Sequence, residues 1–158
     1  FDVVLNIQGD EPFIQPEQLK KVLSCFLDRD TEIATLVKPF GPGDDIFNPN
    51  SPKVVLNRNG EAIFFSRSPI PFIRGSEQEL WSTLHVFLKH IGLYGYRTDV
   101  LEEITKLEQT PLELAESLEQ LRWIENGYKI KVEQTHLESI GIDTPEDLER
   151  VIQLGLLG

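Results

Sequence analysis

Two aspartates lie where the sequence predicts the carboxyl-terminal edge of a sheet. Asp10 is three residues past the apolar run Val3–Ile7, and Asp143 immediately precedes the N-cap of the last predicted helix. Ligands of open α/β sheets collect at this edge, and Mg²⁺ favours sparse carboxylate sites that phosphate oxygens and water complete. The pair therefore indicates a magnesium site. Each aspartate alone is equally typical of a turn or a helix cap.

Other polar residues lie on predicted elements without forming a recognisable motif. Arg67 follows a predicted strand, where it could bind a carboxylate bidentately or pair with an acid at the surface. His90 lies within an apolar strand, which is typical of a core histidine. Glu119 and Gln120 fall outside the apolar stripe of the predicted helix Pro111–Asn126, a position typical of solvated side chains. These residues alone specify no chemistry.

Composition excludes several classes of site and partner. One cysteine, Cys25, excludes an intramolecular disulfide and suits a reducing cytoplasm. Neither His85 nor His136 has a spacing that suggests zinc, and the sequence contains no glycine-rich phosphate loop and no serine nucleophile elbow. The net charge of −11 argues against nucleic acid and anionic membrane surfaces as partners. No apolar run approaches the length of a membrane span.

The elements that must position these residues alternate between strands and helices. Strands are predicted at Val3–Ile7, Glu32–Phe40, Lys53–Asn57, Glu61–Ser66, Val86–Arg97 and Tyr128–Gln134, and helices at Pro16–Asp28, Thr98–Leu107, Pro111–Asn126 and from Thr144 to about Leu154. This alternation predicts one α/β domain over residues 1–158, with a mainly parallel sheet flanked by helices. The section from about 40 to 97 interrupts the alternation and predicts antiparallel hairpins, with Asn59-Gly60 as a turn.

The chain opens directly on an apolar strand. Such runs are typical of central strands in covered sheets, so we expect the sequence to lack a segment that precedes Phe1 in the parent protein. The alternative is a native N-terminal strand.

A series of short motifs extends along almost the whole chain. They are Leu5–Pro12 (LNIQGDEP), Phe47–Asn50 (FNPN) with Lys53–Val55 (KVV), Phe65–Pro71 (FSRSPIP), His90–Arg97 (HIGLYGYR), Leu118–Arg122 (LEQLR) and Gly141–Leu148 (GIDTPEDL). In this order they resemble the CMP-Kdo synthetases, the 3-deoxy-manno-octulosonate (Kdo) cytidylyltransferases of lipopolysaccharide synthesis.

The resemblance implies a nucleotidyltransferase-type, Rossmann-like fold, usually a cytoplasmic homodimer, which joins Kdo to CTP and gives CMP-Kdo and pyrophosphate. It implies that Asp10 and Asp143 hold Mg²⁺ against the nucleotide phosphate and act in catalysis. The residues that would line the sugar-acid pocket are Gln8, Arg67, His90, Tyr94, Glu119 and Gln120. Within this pocket, Arg67 and His90 could meet the sugar carboxylate.

One part of the family pattern has no counterpart in this sequence. The basic N-terminal loop, which grips the CTP phosphates in the family, is absent, so we expect the 158 residues alone to be inactive. Three alternatives remain: a related cytidylyltransferase that charges sialic acid, a non-catalytic sugar-binding or dimerisation module, and a GT-A glycosyltransferase with Asp10 and Glu11 as its metal motif.

Overall fold

A computed structural model describes residues 1–8 and 14–137. Its strands are β1 (Val3–Ile7), β2 (Ile33–Pro39), β3 (Lys53–Leu56), β4 (Ala62–Ser66), β5 (Leu88–Arg97) and β6 (Ile130–Gln134). Its α-helices are α1 (Pro16–Cys25), α2 (Trp81–Leu84), α3 (Thr98–Ile104), α4 (Pro111–Glu116) and α5 (Gln120–Glu125). Asp10, Asp143 and the predicted C-terminal helix lie outside the described residues.

The described strands form one mixed sheet in the order β4-β3-β5-β2-β6, and β1 also pairs with β5. The predicted α/β class is confirmed. The pairing, however, is not mainly parallel within the described part of the chain, where β2–β6 is parallel and the other pairs are antiparallel. The reason is the position of β5, which runs opposite to β1, β2 and β3 and lies between them. Because β1, β2 and β6 share one direction, their carboxyl ends point towards the same edge.

The hairpin predicted within the 40–97 section is confirmed. Strands β3 and β4 pair antiparallel around Arg58-Asn59-Gly60. Gly60 has a φ of 72°, a conformation that costs glycine little. The Asn57 side-chain Oδ1 accepts hydrogen bonds from the amides of Asn59 and Glu61, both at 2.9 Å, and these contacts hold the turn closed.

Two apolar cores lie on opposite faces of the sheet. On one face, Val22 and Cys25 of α1 pack against Ala34, Leu36 and neighbouring β5 side chains. The opposite face carries the larger core, to which α3 and α5 contribute Ile104, Leu121 and Trp123. Alternate residues of β2 therefore serve different cores, as the pleat of a strand requires. Within the described residues no helix is long and apolar enough to cross a membrane.

The predicted helix Pro111–Asn126 is interrupted, so the interpretation of one continuous helix is wrong. Its beginning agrees with the sequence signals, since Pro111 is the first residue of α4 and the Glu113 carboxylate accepts a hydrogen bond from the Thr110 amide at 3.4 Å. Ser117 then adopts a left-handed conformation with φ 51°. Helix α5 begins afresh at Gln120, and the two segments are joined by a bidentate ion pair between Arg122 and Glu113.

Candidate active site

A row of aromatic side chains from β5 forms one wall of the candidate site. The rings of His90 and Tyr94 lie 5.2 Å apart between centroids, and Tyr96 stacks on Tyr94 at 5.8 Å. Trp123 of α5 meets the edges of both tyrosines, at 5.2 and 5.5 Å. Helix α5 is therefore fixed against the strand by aromatic packing, which brings its first residues close to the row.

Tyr94 carries an unsatisfied polar group. The residue is only 4% exposed, and its hydroxyl makes no hydrogen bond of good geometry within the described residues. The nearby Thr35 hydroxyl opposes the rise in the pKa of Tyr94 but does not satisfy the phenol. Burial is the main reason that the pKa of Tyr94 lies well above its ordinary value, and the neighbouring Tyr96 and Glu119 raise it further. The phenol is thus a neutral donor that lacks a partner, and a buried donor in this state is costly unless a ligand satisfies it.

His90 is neutral in the folded protein. Part of the residue still reaches solvent, but burial of the ring lowers its pKa to about 3. Phe65 meets the ring edge-on at 5.2 Å between centroids, and Nε2 lies 3.1 Å from the Thr35 hydroxyl oxygen. The sequence-based interpretation as a core histidine and the pocket role that the resemblance implies are both compatible with this position.

Arg67 is held by backbone carbonyls, and among the described residues its guanidinium has no acidic partner of the kind that the surface alternative would require. Its Nε donates to the Glu116 carbonyl at 2.6 Å, and its terminal nitrogens donate to the carbonyls of Pro49 and Ser117 at 2.9 and 3.1 Å. The Glu116 carboxylate accepts hydrogen bonds from the Arg67 amide and from the Ser66 hydroxyl. We call these contacts between residues 66–67 and 116–117 the Arg67 clip.

Lys53 supports the clip, a role that the sequence analysis did not assign to it. The residue is completely buried, and its ammonium donates to the carbonyls of Asn48 and Arg67 at 2.8 and 2.7 Å. Burial lowers the pKa of Lys53, while Asp45 and Glu116 partly offset that shift. The sequence showed Lys53 in the KVV motif and at the start of an apolar strand, but a lysine at an exposed strand end gives the same pattern.

The interruption at Ser117 sets the positions of Glu119 and Gln120. Glu119 precedes α5, is exposed, and lines a cavity of about 310 Å³ together with Asn6 and Tyr96. Gln120 is the first residue of α5 and is only 5% exposed. The expectation that both are merely solvated is wrong for Gln120, because the break turns it inward.

The remaining predicted ligands cannot all be located. Gln8 is exposed and directly follows β1, whose last residue, Ile7, pairs with Leu93 of β5. Asp10 and Asp143 fall outside the described ranges, so their role as metal ligands stays a prediction. Among residues 1–8 and 14–137, no cluster of three or more histidine, cysteine or acidic side chains suits a metal ion.

The comparison with protein families decides the assignment of this chain. Residues 1–140 match the family model described as Cytidylyltransferase. The chain belongs to the cytidylyltransferase family. The resemblance to cytidylyltransferases that the motifs suggested is thereby confirmed.

Close relatives of this cytidylyltransferase chain carry a specific name. Proteins named 3-deoxy-manno-octulosonate cytidylyltransferase are 64% identical over 156 residues in Parabacteroides distasonis and 65% identical over 153 residues in Bacteroides thetaiotaomicron. These matches cover 96% and 94% of this chain but 62% and 61% of the relatives. The cytidylyltransferase chain thus spans about 60% of the length of these relatives.

One solved structure with a related name is similar to this chain, and a more distant one shares its fold. A CMP:2-keto-3-deoxy-manno-octonic acid synthetase complexed with CTP matches 98% of this chain and 62% of its own, with a TM-score of 0.87 and 37% identity. A 4-diphosphocytidyl-2C-methyl-D-erythritol synthase from Anaerococcus prevotii matches 98% of this chain and 59% of its own, at a TM-score of 0.52 and 12% identity, and shares the fold alone.

The buried state of His90 predicts how stability depends on pH. Between the unfolded pKa of 6.5 and the folded pKa of about 3, the unfolded chain binds a proton that the folded chain does not. Stability is therefore lost as the pH falls through this window. From pH 7 to pH 4.5, we expect the wild type to lose about 2 kcal/mol more than His90→Gln.

Urea unfolding of the two proteins at both pH values measures this difference. Acidic groups contribute equally to both proteins and cancel. Equal losses in the two proteins would show that His90 gains its proton as readily in the folded chain as in the unfolded one.

Proposed function

We propose that this chain forms part of a CMP-Kdo synthetase, which transfers CMP from CTP to the sugar acid Kdo. In this reaction the 2-hydroxyl of Kdo loses its proton to water and its oxygen bonds to the α-phosphorus of CTP. The bond from that phosphorus to the β-phosphate oxygen breaks, and pyrophosphate leaves. The observation that carries the proposal is the buried, unpartnered hydroxyl of Tyr94 beside neutral His90, in a chain whose relatives are named for this activity.

The polar groups around Tyr94 suit a polyhydroxylated sugar. Glu119 and Asn6 supply side-chain oxygens at the cavity beside Tyr96, and the Tyr94 phenol supplies a hydrogen-bond donor. Gln120 at the start of α5 and Gln8 after β1 complete the proposed pocket. A site with few, fixed polar groups against aromatic walls is the usual design for orienting a small ligand. Such positioning would supply much of the catalysis.

Arg67 retains donors for the carboxylate of the sugar acid. A guanidinium has five N–H groups. In Arg67, two of them donate to carbonyls of the Arg67 clip and a third donates to the Pro49 carbonyl. The other two have no partner in the part of the chain that the structure describes, so they could bind a ligand. Since carbonyl groups do not neutralise its charge, the arginine keeps the positive charge that an approaching carboxylate needs.

We also propose that Asp10 and Asp143 hold Mg²⁺. The topology supports this proposal because β1 and β6, which precede the two aspartates along the chain, share one direction in the sheet. A bound Mg²⁺ would stabilise negative charge on the α-phosphate and lower the pKa of the attacking hydroxyl. The residues of the chain would bind the sugar and orient that hydroxyl.

Two further proposals concern the setting of the enzyme. We propose a cytoplasmic homodimer. An exposed apolar patch supports contact between subunits: Phe72, Leu84 and Val86 are 72, 61 and 65% exposed around the buried Trp81.

The state of Cys25 supports the cytoplasmic location. Burial raises the pKa of the Cys25 thiol to about 11, so the cysteine is held as an unreactive thiol, which suits a reducing compartment.

The activity is tested in a chimera in which this chain replaces the matching region of the Parabacteroides distasonis relative. With Mg²⁺, the chimera should release pyrophosphate from CTP when Kdo is present. Asp10→Asn and Asp143→Asn should each lower turnover on the order of 10²-fold. The matched control is Asp30→Asn, an exposed aspartate on the loop before β2, which should keep full activity.

Three outcomes would contradict the proposal. Folded aspartate variants with full turnover would remove the metal assignment. Faster release with sialic acid than with Kdo would favour the alternative cytidylyltransferase. A folded chimera without any turnover would favour a non-catalytic module.

Removing the Tyr94 hydroxyl should separate function from stability. Tyr94→Phe deletes a buried donor without a partner, so we expect a thermal midpoint equal to or above that of the wild type. In the chimera, the KM for Kdo should rise roughly 3- to 10-fold, as expected for one lost hydrogen bond. Tyr128→Phe is the control, because the Tyr128 hydroxyl donates to Glu103 on the surface. An unchanged KM in Tyr94→Phe would exclude contact between this hydroxyl and the sugar.

A further inference from the structure

Thr35 lies at an irregularity in the sheet next to His90. The register between β2 and β5 shifts between Thr35 and Leu36, so that Thr35 faces Tyr94 while Leu36 faces Ile91. The threonine is completely buried. Its hydroxyl oxygen lies 2.9 Å from the carbonyl oxygen of Leu93, 3.1 Å from that of Ile91 and 3.1 Å from Nε2 of His90.

These three distances constrain where the protons are. A threonine hydroxyl has one proton to donate, and a carbonyl oxygen has none. If Thr35 donated to His90, its oxygen would face two carbonyl oxygens at hydrogen-bond distance with no proton between them. The hydroxyl proton must therefore point towards the carbonyls, and the proton between Thr35 and His90 must be on Nε2.

We propose that Thr35 is a positioning residue that fixes His90 in the Nε2–H tautomer, so that Nδ1 accepts a hydrogen bond from a hydroxyl group of the bound sugar acid. The tautomer follows from the geometry around Thr35, whereas the identity of the ligand rests on the proposed function. A neutral imidazole has one donor and one acceptor nitrogen, so assigning the proton to Nε2 leaves the lone pair on Nδ1.

The surroundings of His90 favour this role. Phe65 and Tyr94 contact the ring, and Nδ1 has no hydrogen-bond partner among residues 1–8 and 14–137. The backbone of His90 is fixed as well, since its amide donates to the Pro52 carbonyl at 2.9 Å. A lone pair in this position would repel a carboxylate, so the sugar carboxylate is left to Arg67. From the sequence we expected both Arg67 and His90 to meet the carboxylate, and we now propose this contact for Arg67 alone.

The tautomer is measured on the chain itself, without any ligand. Long-range ¹H–¹⁵N correlation spectra of ¹⁵N-histidine protein distinguish the two ring nitrogens, and the loss of one set of signals in His90→Gln assigns His90. We expect a single species with the proton on Nε2 and none on Nδ1. A proton on Nδ1 in the wild type would overturn the proposal.

Two substitutions test whether the hydroxyl sets the tautomer. Thr35→Val keeps the shape and removes the hydroxyl, so His90 should populate both tautomers. Thr35→Ser keeps a hydroxyl and should restore the Nε2–H form, and it remains informative if Thr35→Val does not fold. A folded Thr35→Val that stays wholly in the Nε2–H form, or a Thr35→Ser that does not, would show that the hydroxyl is not the determinant.

Kinetics of the chimera then test the link to the ligand. Thr35→Val should raise the KM for Kdo roughly 3- to 10-fold with a smaller effect on kcat, and Thr35→Ser should stay close to the wild type. A changed tautomer with an unchanged KM would overturn the ligand contact. An inactive chimera with the expected tautomer would instead contradict the proposed function and leave the role of Thr35 intact.

Discussion

The site depends on one set of contacts, the Arg67 clip between the end of β4 and the break after α4. An arginine that binds the carbonyls of Glu116 and Ser117 occupies acceptors that a continuing helix would use for itself. The Glu116 carboxylate binds back to the same strand end, through the Ser66 hydroxyl at 2.7 Å and the Arg67 amide at 2.8 Å. Because these contacts are mutual, the helix break and the arginine fix each other.

The break gives the proposed pocket its second wall. It ends α4 at Glu116 and lets α5 begin at Gln120, where Trp123 packs against the tyrosines of β5. The first wall is β5, whose register with β2 shifts at Thr35. Its side chains His90 and Tyr94 are neutral because burial disfavours their charged forms. Neutral His90 and Tyr94 would suit the hydroxyl groups of the proposed sugar acid, whereas its negative charge would need the separate cation of Arg67.

Local patterns predicted the elements better than the site. Strand alternation, the Asn59-Gly60 turn and the start of α4 at Pro111 were all visible in the sequence, since each depends on near neighbours. The break at Ser117 was not, because its cause is Arg67, some fifty positions earlier in the chain. Burial of Lys53 and the contact between Thr35 and His90 are likewise tertiary. The proposed pocket residues came from family resemblance, whereas their spacing alone left them as surface or core positions.

The most direct measurement of the clip is the backbone conformation of Ser117 in solution. Chemical shifts of the wild type and of Arg67→Lys report its φ, and lysine keeps the charge while losing the forked donors. We predict a positive φ at Ser117 in the wild type, together with changed shifts at residues 116–120 in Arg67→Lys. A helical Ser117 in the wild type, or identical shifts in both proteins, would contradict the account.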